Sequence, residues 1–234
     1  MQLMLSYTLS VIFFMCAPGI SVANAQPDPL PVERSFKKYK KELRQFPHLE
    51  MVELKSRIPS IIYELRYASR NNFMQRFMYP AETHSTYLRQ PAADSLVKVQ
   101  EELRLEGLGI KVFDAYRPYS VTQHFWELVK DERYVANPAK GSHHNRGTAI
   151  DLTLVDLRSG NELDMGTGFD NFSDTAHHNF RHLPETVLQN RVKLKNIMSK
   201  YGFAALSTEW WHYTYQSPVK FPVLDIPFKK LANQ

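Results

Sequence analysis

Two short stretches hold the residues able to do chemistry. The first, residues 141–154, reads Gly-Ser-His-His-Asn-Arg-Gly-Thr-Ala-Ile-Asp-Leu-Thr-Leu. His144 and Asp151 are seven positions apart, and on an unbroken strand that odd offset would set them on opposite faces. A bend must lie between them, and Gly147 can supply it, because glycine enters positive φ or a bulge without steric cost. Asp151 is surrounded by Ala149, Ile150, Leu152 and Leu154, so the strand is expected to be buried. A carboxylate there is costly unless it is paired or bound to a metal. One reading makes His144 and Asp151 a nitrogen and an oxygen ligand to zinc; the other leaves His144 in a turn and pairs Asp151 with Arg146.

The second stretch, residues 207–215, reads Ser-Thr-Glu-Trp-Trp-His-Tyr-Thr-Tyr. Its aromatic and β-branched residues predict a strand beginning near Trp210, with His212 on the face of Trp210 and Thr214. Glu209 then falls at the bend entering the strand, off the ligand face. Two histidines and one carboxylate with a position left to water describe a catalytic zinc site, whereas a structural site is more often closed by four protein ligands. Glu209, unligated beside that water, is the candidate general base.

The elements that must position these residues follow from the rest of the chain. Its 234 residues, 43% hydrophobic, suffice for one domain with a real core. Residues 1–25 carry no charged side chain and end in Ala23-Asn24-Ala25, the pattern of a secretory signal peptide. The expectation is a secreted, periplasmic protein cleaved near Ala25. The single cysteine, Cys16, lies in that segment, so the remainder has neither disulfides nor a thiol nucleophile. The net charge of +5 collects early, in Arg34, Lys37, Lys38, Lys40, Lys41 and Arg44. That run reads as a solvated helix face, with loose attraction to an anionic envelope surface as its functional version. No nucleic-acid recognition motif accompanies the charge, and no nucleic acid is expected as a partner.

The organisation predicted is a signal over residues 1–25, a basic extension over 26–50 and a catalytic domain over 51–234. Residues 26–32, with three prolines, read as an extended linker and residues 33–46 as a polar helix. A strand is predicted around residues 61–67, then a loop to about Gln90. Ala92, Leu96, Val99 and Leu103 form a helical stripe between Pro91 and Gly107. A strand over 110–113 leads to Arg117, which Pro118 forces out of helical geometry. Further helices are expected over 120–130 and 190–201, with a hairpin turn at Ser159-Gly160-Asn161 and a long polar loop over 164–182. Short strands mixed with helices, without a βαβ rhythm, give an α+β fold with a mainly antiparallel central sheet flanked by helices.

Ser142-x-His144-x-x-Gly147-x-Ala149-x-Asp151 together with Glu209-x-x-His212 resembles the zinc D-alanyl-D-alanine dipeptidases, the group that includes the vancomycin-resistance dipeptidases. The likeness extends to Arg66-Tyr67-Ala68, Asp114-Ala115-Tyr116-Arg117-Pro118, Met165-Gly166 and Phe169-Asp170. Related D,D-carboxypeptidases and Hedgehog-type zinc domains share the Ser-His-Gly-Asp pattern and its fold. The resemblance implies one Zn2+ bound by His144, Asp151 and His212, Glu209 as catalytic base, and Arg117 stabilising the transition state. It also implies that Ser142, Tyr67 and Asp170 line the pocket for the amino end of a dipeptide substrate. The chain departs from the family pattern in its basic N-terminal extension and in a short segment, residues 120–141, between the arginine and the zinc motif.

Each of these residues also has a plainer reading. Arg117 pairs with Asp114; His177, His178 and His182 belong to a mobile polar loop and hold no second metal; Trp210 and Trp211 pack around the strand; Tyr67 is a core tyrosine. The alternatives to a dipeptidase are a D,D-carboxypeptidase trimming peptidoglycan stem peptides and a noncatalytic zinc-containing binding module.

Overall fold

Alternating apolar residues and glycine turns build a sheet whose strands meet at His212 and Asp151 once the register is set, and the computed structural model describes this for residues 30–234. In chain order the elements are β1 (Val32–Glu33), α1 (Phe36–Leu43), β2 (Met51–Glu53), α2 (Leu54–Arg57), β3 (Ile62–Tyr63), β4 (Tyr87–Arg89), α3 (Gln90–Leu105), β5 (Leu108–Asp114), α4 (Tyr119–Val129), β6 (Ala149–Asp156), α5 (Glu185–Lys200), β7 (Phe203–Ala205), β8 (His212–Tyr215), β9 (Val223–Leu224) and α6 (Phe228–Leu231). Residues 1–25, expected to be a signal peptide, lie outside the described residues.

The central sheet has the order β3-β5-β6-β8-β7. Only β3 and β5 run parallel; the other three pairings are antiparallel, as the mixture of short strands predicts. Its core strands are the long ones. β5 and β6 are almost wholly buried, and α3 packs Ala92, Leu96, Val99 and Leu103 into the same apolar cluster. Leu194, Ile197 and Met198 of α5 join it, so helices cover the sheet where its strands are most apolar.

Several boundaries differ from the sequence expectation. The strand predicted over 61–67 shrinks to β3, because the chain turns into a 3₁₀ helix at Arg66–Ala68 that presents Tyr67 inward. The expected loop before Gln90 contains β4, which pairs antiparallel with β2 through Met51↔Arg89. α5 begins at Glu185, behind Pro184, five residues before the apolar stripe that predicts it. The strand expected from Trp210 starts at His212, since both tryptophans are in the turn that precedes it.

The N-terminal segment is part of the body. β1 pairs with β9, within the stretch expected to be a linker, and the basic helix α1 buries Tyr39 against Met51, Tyr87, Tyr116, Leu224, Ile226 and Leu231. The Tyr39 hydroxyl accepts a hydrogen bond from the Met51 amide at 2.8 Å. The lysines of α1 remain exposed, the solvated face that the charge run predicts.

Candidate metal centre and cleft

Cross-strand register assembles the centre. Asp114 of β5 lies opposite Asp151 of β6, and Asp151 lies opposite His212 of β8. Directly opposed residues of antiparallel strands put their side chains on the same face, about 4.5–5.5 Å apart at Cβ. An irregularity between Val112 and Asp114 in β5 shifts the register just before this row. A bulge of that kind re-aims the next side chain.

His144 enters from outside the sheet. It opens a 3₁₀ turn, His144–Arg146, that ends at Gly147 in the left-handed conformation with φ 69°. This is the bend that the offset between His144 and Asp151 requires. A side chain at Gly147 has no room: a Cβ would come within 2.6 Å of Met51 Cε. The turn is held from behind by Arg89, which is fully buried; its amide donates to Gly147 O at 2.8 Å and its Nε to Arg146 O at 2.8 Å. Arg89 also donates to the carbonyls of Leu49 and Pro222.

One donor atom each from His144, Asp151 and His212 lies within 4.8 Å of the other two. His144 Nε2 is 3.3 Å from His212 Nδ1 and 3.5 Å from Asp151 Oδ2, while His212 Nδ1 is 2.9 Å from Asp151 Oδ1. The far nitrogens are occupied. His144 Nδ1 lies 2.6 Å from Ala115 O and, since a carbonyl only accepts, must carry the proton, which leaves the Nε2 lone pair facing the centre. His212 Nε2 is 3.2 Å from Thr214 Oγ1. Orienting partners of this sort fix the tautomer of a ligating histidine. Two imidazoles and one carboxylate, with their outer nitrogens bonded and no cysteine nearby, fit a zinc ion that keeps an open position. Among the described residues this is the one cluster of such a kind, and His177, His178 and His182 do not form a second.

The electrostatics point to a cation at this place. Burial by itself would raise the Asp151 carboxyl, yet His144 and His212 outweigh it and hold the group below the usual carboxylate range. Burial likewise lowers His212, and its bond to Asp151 more than reverses that. Asp151 therefore favours positive charge on the atoms facing it. It makes no pair with Arg146, whose guanidinium donates to Phe221 O at 2.7 Å.

The centre forms the floor of a cleft of about 650 Å³. Glu209, in the turn before β8, lines it with Oε2 3.8 Å from His212 Nδ1. Burial raises the Glu209 carboxyl, and the charge of Asp151 adds to the effect. Arg117 also lines it and does pair with Asp114, giving 3.1 Å and 2.8 Å bonds from Nε and Nη2 to one carboxylate oxygen. Its guanidinium carbon also lies 5.1 Å from the ring centres of both Tyr67 and Phe125. Pairing with Asp114 and facing the cleft are thus compatible.

The remaining predicted residues reach the same cleft. The Tyr67 hydroxyl donates to Asp170, 3.1 Å from each carboxylate oxygen. Burial, aided by Asp151, pushes the Asp170 carboxyl well above the carboxylate range, and its backbone has φ 58°. Ser142 Oγ accepts the His144 amide at 3.1 Å. Trp211 contributes to the cleft wall, while both tryptophans are buried as packing residues.

Asp114 is the important residue that sequence reasoning took only as a partner for Arg117. It is fully buried, accepts from the Tyr79 hydroxyl at 2.7 Å and comes within 3.7 Å of His144 Nδ1, so it touches both the arginine and a histidine of the candidate metal cluster. The available signal was its place at the end of an apolar strand, three residues before Arg117. The polar loop over 164–182, read as long and histidine-rich, contributes Phe172, Asp174 and His177 to the cleft, while Glu132, Arg133 and Tyr134 were not singled out, because loop residues carry no periodicity.

Residues 47–228 match the family model described as D-ala-D-ala dipeptidase. The chain is 37% identical over 175 residues to the D-alanyl-D-alanine dipeptidase of Escherichia coli strain K12, a match spanning 75% of this chain and 89% of the relative. It is 30% identical over 191 residues to the Enterococcus faecium D-alanyl-D-alanine dipeptidase, spanning 74% and 95%. The Streptomyces coelicolor D-alanyl-D-alanine dipeptidase is 29% identical over 175 residues, spanning 67% of this chain and 87% of the relative. With the family model covering most of the sequence and the bacterial relatives matched over nearly their full length, the chain belongs to the D-alanyl-D-alanine dipeptidase family of metallopeptidases.

Proposed function

We propose that this chain is a zinc-dependent dipeptidase that hydrolyses D-Ala-D-Ala or closely similar cell-wall dipeptides, with one zinc held by His144, Asp151 and His212. The observation that carries the reading is the convergence of those three donor sets at the floor of a cleft that also receives Glu209 and Arg117. Zinc held there would supply Lewis acidity and lower the pKa of a bound water towards neutrality.

The chain's own groups account for the rest. Glu209 Oε2 is placed to take a proton from the attacking water and to pass it to the departing amine. A carboxyl raised by burial suits that role, because a base works best with a pKa near the working pH. Arg117 uses Nε and Nη2 on Asp114, which leaves Nη1 for the oxygen that becomes negative as the carbonyl is attacked. Its charge persists at every working pH. Asp170, backed by the Tyr67 hydroxyl, supplies the acceptor for the substrate's amino end, and a bound ammonium would favour its ionised form.

A second reading, removal of terminal D-Ala from longer stem peptides, is favoured by one observation: about 650 Å³ lies within the range of pockets that take ligands larger than a dipeptide. The deciding experiment is hydrolysis of L,L, L,D and D,D dipeptides and of a pentapeptide ending in D-Ala-D-Ala, with and without a chelator. Chelator-sensitive cleavage of the D,D dipeptide alone supports the dipeptidase. Cleavage of the pentapeptide with an inert dipeptide supports the carboxypeptidase, and no turnover with zinc bound supports a binding module. The uncharged, Ala-x-Ala-ended N-terminus supports action outside the cytoplasm, which N-terminal sequencing of the protein recovered from a periplasmic fraction would test.

A further inference from the structure

Between the hairpin after β6 and the start of α5 the chain runs through residues 164–184 with a single 3₁₀ turn, Asp174–Ala176, as its regular structure. This loop brings Asp170, Phe172, Asp174 and His177 to the cleft. A long loop without regular structure holds a side chain in place only if its own ends are fixed.

The entry and the middle of this loop, which bracket Asp170, meet one side chain. Arg191 projects from α5 into the protein and is only 4% exposed. Its Nε donates to Met165 O at 2.8 Å, at the loop's entry; its Nη1 donates to Thr175 O at 2.9 Å and His177 O at 3.3 Å, near the loop's middle. Among the described residues Arg191 makes no ion pair, and every hydrogen bond of its side chain goes to a backbone carbonyl, with Nη2 left unpartnered. Three neighbouring contacts act in the same sense. Gly166, at φ 78°, lets the loop lie against α5, where a Cβ would fall 2.9 Å from Val187 Cγ1. Trp210 Nε1 donates to Thr167 Oγ1 at 2.7 Å, and the Trp210 amide donates to Ala176 O at 3.1 Å. The latter two bonds join the loop to the turn that carries Glu209.

We infer that Arg191 is a positioning residue: by closing residues 165–177 into a fixed loop it sets Asp170 against the Tyr67 hydroxyl and so determines how tightly the amino end of the substrate is held. This rests on the reading of Asp170 as the group that receives that end. Asp170 sits at positive φ, a conformation that surrounding structure must impose on a residue with a Cβ. Asp170 lies between the two points of the loop that Arg191 holds.

The test is a kinetic cycle on the zinc-loaded full chain. Arg191→Gln is expected to raise KM for D-Ala-D-Ala by about tenfold or more while kcat and zinc content stay near the parent values, since small displacements of a positioning group already cost this much. Arg191→Lys, which keeps the charge but cannot span all three carbonyls, should recover part of the effect; it carries the same test should the glutamine variant fail to fold. Asp170→Asn should raise KM by itself, and adding Arg191→Gln to it should then raise KM no further. Amide hydrogen exchange gives a readout independent of substrate: residues 164–177 should exchange faster in Arg191→Gln, with the central sheet unchanged. An unchanged KM, or fold-changes that multiply in the double variant, would overturn the clamp, as would unchanged exchange in the loop. An Asp170→Asn variant with the parent KM overturns it together with the assigned role of Asp170. If the parent hydrolyses no D,D dipeptide the proposed function fails, and the exchange measurement still decides whether Arg191 holds the loop.

Discussion

Arg117 and Asp114, three residues apart at the end of β5, form a buried ion pair in which Nε and Nη2 of the guanidinium share one carboxylate oxygen. Asp114 also receives the Tyr79 hydroxyl and approaches His144. The carboxylate therefore fixes the orientation of Arg117 and stands behind the metal centre at once. Replacing Arg117 by Ala is expected to lower kcat for D-Ala-D-Ala by about 10²-fold to 10³-fold. Replacing Asp114 by Asn leaves the arginine buried without its counter-charge, which costs about 3–5 kcal/mol. Denaturant unfolding alongside steady-state kinetics separates the two: Arg117→Ala should be chiefly a rate defect and Asp114→Asn a defect of both.

Glu209 lies near the ligands without being counted among them. Glu209→Gln keeps the shape and removes the proton acceptor, and the expected loss in kcat is about 10²-fold to 10⁴-fold. Zinc content measured on the same preparation should match the parent. His144→Ala should instead lose the metal together with the activity. A Glu209→Gln variant with the parent kcat would remove this carboxylate from the proton transfer.

Gly147 is the bend on which the His144–Asp151 geometry depends. Gly147→Ala places a β-carbon at φ 69° and within 2.6 Å of Met51, itself fully buried. Left-handed backbone costs an alanine about 1–2 kcal/mol and overpacking a further 1–3 kcal/mol. A destabilisation on the order of 2–5 kcal/mol is expected from the denaturant midpoint. Weaker zinc retention should accompany it, because the turn that carries His144 must shift.

His178 makes stability depend on pH. Burial, with Lys195 and Arg191 adding to it, pulls its imidazole from 6.5 down to about 4. In that interval the unfolded chain binds a proton that the folded chain refuses, so stability falls as pH drops from 6.5 towards 4 and is unaffected by this group above 6.5. Thermal unfolding of the parent and of His178→Asn across this range provides the check. The parent should lose more of its melting temperature than the variant; parallel curves would mean that His178 is not a source of the acid sensitivity.

The sequence by itself determined which residue types are available for chemistry. It contained the His144, Asp151, Glu209 and His212 side chains and the need for a bend at Gly147, because these follow from side-chain identity and from local backbone limits. It also gave α3 and α4 within a residue or two, since apolar period and flanking Pro or Gly act over a few positions. Only the tertiary structure decided which groups meet. His144 reaches the Ala115 carbonyl across 29 residues, His212 meets Asp151 across 61, and the row Asp114, Asp151, His212 exists only because three strands adopt one register. The same holds for α1, whose charge pattern is that of a solvated helix and whose one buried tyrosine ties it to the core, and for Arg191, whose partners are backbone carbonyls that no residue pattern can specify. Pairing between distant segments is settled by the free energy of the whole packed chain, and a local reading of residue types does not contain it.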